Sequence, residues 1–139
     1  MSESQAVGVH QVVAGLLVDA DKVLLCHRSA GRRWYPNVWD LPGGHVEENE
    51  APPVALVREL HEELGIVIPE PTDPAFAHLQ QPDFHCRIWV VREWIGVPHI
   101  ASDEHDDMGW WPPKATVDLS LAVESYRPLL RLAVSGVEG

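Results

Sequence analysis

Apolar positions along this chain fall into two rhythms. Residues 12–18 and 23–26 are apolar runs split by Asp19-Ala20-Asp21, which predicts two strands joined as a hairpin. A loop over residues 29–37 follows, before Trp39-Asp40-Leu41. Over residues 53–64 the rhythm becomes helical, with Leu56, Leu60 and Leu64 at i, i+4 and i+8 forming a stripe that can pack on a sheet. Residues 66–68 form a short apolar run that reads as a strand. Residues 76–79 and 87–95 read as two more, the second long and rich in β-branched and aromatic side chains. Residues 108–111 are a short strand candidate ended by Pro112-Pro113. The tail over 121–134 has helical periodicity but carries Pro128, which must kink the helix or mark a fresh start. The pattern predicts an α+β fold in which a mixed sheet is flanked by the helix over 53–64 and a C-terminal helix. Repeats and linkers are absent from the sequence, so residues 1–139 are expected to form a single domain.

The polar side of the first helix carries the chemistry. Glu59, Glu62 and Glu63 sit at i, i+3 and i+4, so their carboxylates crowd one face beside the leucine stripe. Like charges at that spacing are mutually destabilising and are relieved either by open solvent or by a cation, and carboxylate oxygens are the hard ligands Mg²⁺ and Mn²⁺ prefer. A bare acidic face is usually just solvated; the surroundings argue otherwise here. Gly65 stops the helix where a left-handed residue is wanted, and Leu41-Pro42-Gly43-Gly44 brings a strand into a turn whose two glycines leave the backbone bare. Strand, glycine loop and acidic helix converge on one point.

Residues 44–66 read GHVEENEAPPVALVRELHEELGI and match the pattern G-x5-E-x7-R-E-U-x-E-E-x-G-U, with U aliphatic, at every specified position. The chain therefore resembles a Nudix hydrolase, specifically a short MutT-type member, over residues 7–134. That resemblance implies a Nudix-type α/β/α sandwich and a Mg²⁺-dependent or Mn²⁺-dependent hydrolase of a phosphoanhydride bond in nucleoside diphosphates linked to another moiety. It implies that Glu59, Glu62 and Glu63 bind metal, that Gly43 adds a carbonyl, and that Arg58 holds Glu59 by a salt bridge. Glu50 is implied as a structural partner near the helix start. Glu104, in an acidic loop before Trp110, is implied as a fourth acidic ligand, with Asp103 or Asp107 as alternatives. The general base is then Glu59 or Glu104, and the sequence does not choose between them. One local departure stands out: Asn49-Glu50-Ala51 is followed by Pro52-Pro53, with no Ser or Thr at position 51, so Asn49 is the expected cap and the prolines fall in the first turn, where a missing N–H costs nothing.

Substrate signals are thinner. Arg28, Arg32 and Arg33 flank a loop holding Trp34 and Tyr35, which can grip phosphates while an aromatic ring stacks on a base, or can be an ordinary solvated loop. Asp106 and Asp107 can accept hydrogen bonds from a purine edge. His45, His61 and His105 lie near the carboxylates in sequence without metal-pair spacing. Pro82 falls near a proline that marks ADP-ribose hydrolases of the resembled family. Nucleoside triphosphates, oxidised ones included, are the expected substrates; ADP-ribose or another nucleotide sugar is the alternative, and a non-catalytic nucleotide-sensing module is the reading from a different class. The net charge of −11 argues against a nucleic-acid polymer as partner. No apolar run approaches a membrane span, and the two cysteines, Cys26 and Cys86, read as buried thiols of a reducing compartment. A cytoplasmic monomer or homodimer acting on a small nucleotide is the expectation.

Overall fold

The computed structural model describes residues 9–33 and 35–135. The hairpin forms as β1 (His10–Asp19) and β2 (Lys22–Arg28), turning at Ala20, whose φ is 55°. Then come β3 (Trp39–Asp40), β4 (Gly43–His45), helix α1 (Pro52–Leu64), β5 (Ala77–Gln80), β6 (Phe84–Val91), β7 (His105–Trp111), a 3-10 turn (Pro113–Asp118) and helix α2 (Tyr126–Ser135).

β1 organises the sheet. Its first half pairs with β4 antiparallel and, from His10 to Leu17, with β6 in parallel; its end pairs with β2, which carries β3 and β7 on its flanks. β5 completes the other edge against β6. Both faces are covered, which explains why the apolar runs of β1 and β2 are nearly continuous rather than alternating. Ala14, Leu16, Val18, Val23 and Leu25 point into a core that includes Tyr126, Leu130 and Ala133 of α2. Val13, Leu17, Leu24 and Cys26 point into a second core with Ala55, Leu56, Leu60 and Leu64 of α1. The leucine stripe of α1 is fully covered, each side chain at 0 to 1% exposure, and such burial stabilises by roughly 1.5–3 kcal/mol per leucine. The α+β sandwich expected from the pattern is the one observed.

Several element boundaries differ, each for a traceable reason. Residues 66–68 do not form a strand: Val67 and Ile95 exchange one pair of backbone hydrogen bonds at 3.0 and 2.9 Å, and the partner segment then turns at Gly96. β6 spans Phe84–Val91 instead of 87–95, because β1 leaves it after the Leu17↔Val91 pair to join β2. β7 starts earlier than expected, at His105, since β2 supplies partners from Val23 to Arg28. Pro128 is the third residue of α2 and so begins a helix without kinking it. At α1, the capping position is Ala51, with no side-chain cap, and Asn49 instead holds φ at 65° in the turn before it. Pro52 and Pro53 do occupy the first turn.

Candidate active site

Arg58 ties the start of α1 to its acidic face. Its Nε and Nη2 donate to Glu50 at 2.8 and 2.9 Å, Nη1 donates to Glu59 at 3.0 Å and Glu62 at 3.3 Å, and Nη2 also reaches the His45 carbonyl at 3.0 Å. Those hydrogen bonds pull the Glu50 carboxyl down to about 2, because only its charged form is so well served. Glu50 is thus a strut between the loop and the helix, its Oε1 also accepting from the Glu47 N–H at 2.9 Å.

The three box glutamates part company in space. Glu62 is 55% exposed, Glu59 is 12% exposed, and Glu63 is buried at 2%. Glu63 Oε1 accepts from the Gly43 N–H at 3.0 Å, while its Oε2 is buried with no hydrogen-bond partner. Burial first, and then the charges of Glu104 and Glu59, push the Glu63 carboxyl well above the usual carboxylate range. Glu59 is raised as well, by burial, against the pull of Arg58. The two glycines make room for this: a Cβ on Gly44 would collide with the Glu59 carboxylate, and one on Gly43 with the Val13 carbonyl. Glu104 comes from the loop before β7, its own carbonyl accepting the Ser29 N–H at 3.1 Å.

Glu59, Glu104, Gly43 and Gly44 border one cavity of about 240 Å³. The cavity is also lined by Ala14, Leu41, Phe84, Cys86 and Val123, with Tyr35, the partly buried Asp40 and the buried Tyr126. Tyr126 donates its hydroxyl to Asp40 Oδ1 at 2.7 Å, and the same oxygen accepts the Leu41 N–H at 2.8 Å. Burial raises the Asp40 carboxyl despite those donors and the nearby Arg28. Arg28 and Arg32 also line the cavity, Arg28 lying 4.0 Å from Asp40 and Arg32 3.8 Å from Glu104.

Other sequence candidates lie elsewhere. Arg33 is exposed and outside the cavity lining, and Trp34 lies outside the described residues. Asp107 does not line the cavity; it is exposed on β7 and turns its carboxylate back to the Met108 N–H at 2.8 Å. Asp106 pairs with His27 at 2.7 Å. His61 is exposed, and His105 is buried, where desolvation and then Arg28 hold its imidazole down at about 4. His45 does border the cavity, its ring edge-on to His10 at 5.0 Å between centroids. Pattern reading passed over Asp40, Tyr126 and His10, since none belongs to a motif: Asp40 and Tyr126 are 86 residues apart and meet only because residues 120–122, just before α2, pair with Trp39 of β3. The one available signal was a carboxylate in an otherwise apolar Trp39-Asp40-Leu41 segment.

The model of the NUDIX domain matches residues 9–133. The chain belongs to the NUDIX domain family. It is 32% identical over 117 residues to the CTP pyrophosphohydrolase of Escherichia coli K12, covering 81% of this chain and 82% of that one. It is also 32% identical over 95 residues to the E. coli K12 8-oxo-dGTP diphosphatase, covering 63% of this chain and 70% of that enzyme. The solution structure of the E. coli ORF135 protein superposes with a TM-score of 0.71 at 28% identity, over 94% of this chain and 91% of that one.

Nudix hydrolases act on phosphoanhydrides with divalent metal ions, and the donor set here suits one. It is all oxygen, and the buried, unpartnered Glu63 Oε2 is a lone pair that a hard cation would satisfy. Among the described residues no three His, Cys, Asp or Glu side chains stand together as a ready metal cluster, and Glu62 turns outward to Arg58. Among the same residues, no helix is long and apolar enough to cross a membrane.

Proposed function

We propose that this Nudix hydrolase cleaves a nucleoside triphosphate with Mg²⁺ or Mn²⁺, the base at the Asp40 end of the cavity and the phosphates at the Glu59 end. The observation that carries the reading is that one cavity is lined both by apolar side chains with Asp40 and Tyr126 and by Glu59, Glu104 and the two glycines. Glu59, Glu63 and Glu104 would hold the cation, with Glu62 and the Gly43 carbonyl as further donors. The bound ion supplies charge neutralisation of the phosphate oxygens and a more acidic water. Arg58 keeps Glu59 aimed at the cavity, and Glu59 or Glu104 takes the water's proton. Among the described residues, Arg28 and Arg32 are the guanidinium groups that line the cavity, and they would serve the phosphate chain.

Asp40 bears on the base. A partly buried carboxylate accepts from an exocyclic amino group, the N4 amine of cytosine or the N2 amine of guanine, and leaves a keto edge unpaired. Cytosine and 8-oxoguanine nucleotides both meet that demand, in keeping with the names of the two E. coli relatives. Adenine offers an equivalent N6 amine, so the preference over ADP-ribose rests on the two E. coli relatives and not on Asp40. The test is a kcat/KM panel over CTP, UTP, dGTP, 8-oxo-dGTP and ADP-ribose with product identification. CTP or 8-oxo-dGTP is expected to lead, and Asp40→Asn to compress their advantage over UTP by about tenfold. Turnover led by ADP-ribose, or none on any nucleotide with Mg²⁺ or Mn²⁺, would overturn the reading.

A further inference from the structure

Arg32 is held in an unfinished set of contacts. Its Nη2 stands 3.8 Å from Glu104 Oε1, inside ion-pair range but beyond a hydrogen bond, and its Nε is buried with no partner at all. The gap does not come from drifting loops: Ser29 ties the two segments, its N–H donating to the Glu104 carbonyl at 3.1 Å and its Oγ to the Asp103 carbonyl at 3.2 Å. The backbones are fixed and the side chains are left loosely matched. Glu104 also lines the cavity with Glu59, and its charge is among those that push the buried Glu63 carboxyl upward. Glu104 therefore stands between a guanidinium that holds it loosely and the glutamates of α1, beside which a cation would bind.

We propose that Arg32 is a positioning residue that exchanges partners: it holds Glu104 in the free protein and passes to an oxygen of the phosphate chain when nucleotide binds, releasing Glu104 to the cation. The proposal rests on the nucleotide reading above and adds a coupling to it. A phosphate offers several charged acceptors in a geometry a guanidinium matches, so it can engage the idle Nε donor as well as the terminal nitrogens. An ion pair with both partners about one third exposed is weak and readily exchanged. The same cation, while it stays beside Glu104, competes with a metal ion for that carboxylate. Arg32 thus acts with opposite sign on the two ligands, against metal alone and in favour of nucleotide.

Two binding measurements test this without turnover. Mn²⁺ alone is titrated by electron paramagnetic resonance, and an imido-triphosphate analogue of CTP is titrated calorimetrically at saturating Mn²⁺. For Arg32→Met, Mn²⁺ is expected to bind about two- to fivefold more tightly and the analogue about tenfold more weakly. Arg32→Lys, which keeps the charge but not the Nε donor, returns Mn²⁺ affinity to that of the unaltered protein while analogue binding stays weakened. In a Glu104→Gln background the Mn²⁺ effect of Arg32→Met vanishes. Unchanged or weaker Mn²⁺ binding by Arg32→Met overturns the exchange even where the analogue binds normally. An analogue that fails to bind the unaltered protein, with the Mn²⁺ shift intact, overturns the nucleotide reading and the second half of the exchange with it.

Discussion

Glu62 and Glu63 are adjacent in sequence yet meet different solvents. Glu62 shares Arg58 at the surface, whereas Glu63 is buried with one oxygen unpartnered. Burying an uncompensated carboxylate costs stability, so its arrangement serves the site at the expense of the fold. Glu63→Gln is expected to lower kcat at least about 100-fold and yet to raise the metal-free melting temperature at pH 7 by roughly 3–8 °C. Glu62→Gln lowers kcat less and leaves the melting temperature in place; calorimetry beside steady-state rates checks both, and equal thermal shifts for the pair would sink the distinction. Glu50 carries the opposite sign. Its folded carboxyl lies at about 2, below the ordinary 4.5, so its contribution is present above about pH 4.5 and is lost as the pH falls from there toward 2. Glu50→Gln is expected to flatten urea-denatured stability across that window, and an unchanged slope would show that Arg58 does not hold Glu50 in solution.

Among the elements, α1 is the one whose two ends were built differently. Its C-terminus stops at Gly65 with φ 70° and ψ 18°, the left-handed geometry the sequence called for, and the Gly65 N–H returns to the His61 carbonyl. Its N-terminus starts on Ala51 with extended backbone and no side-chain oxygen for the free N–H groups. Arg58 and Glu50 tether that end in place of a cap. Ala51→Ser supplies the missing acceptor and is expected to stabilise by about 0.5–2 kcal/mol in chemical denaturation without altering KM. No gain would mean that the prolines hold the first turn where a serine cannot reach it.

For the whole molecule, the decisive arrangement is two cores on one sheet, with the cavity walled mainly by residues of the core that α2 covers. Tyr126, the first residue of α2, donates to Asp40 on the two-residue strand β3. The C-terminal helix therefore shapes the base end of the cavity while the Arg58 cluster governs the other, and the two ends should be separable. Tyr126→Phe is expected to cost about 1–3 kcal/mol of stability and to raise KM for the preferred nucleotide about five- to twentyfold, with kcat within about twofold. A kcat loss as large as the KM change would show that the ends are mechanically coupled.

Helix period, glycine stop, leucine stripe and the order of the acidic residues are local properties, and the sequence determined them alone because each depends on neighbours a few positions away. The reaction class followed for the same reason, as the carboxylates that act together lie within one helix. Where strands end, which glutamate is buried, and which aspartate faces the cavity depended on partners far along the chain. β6 stops because β1 turns to β2; Asp40 is read by Tyr126; Asp107 is left exposed where the register between β2 and β7 shifts. Only packing of the two helices on the sheet decided these, since burial, and with it the strength of every charge in the site, is a property of the assembled surface.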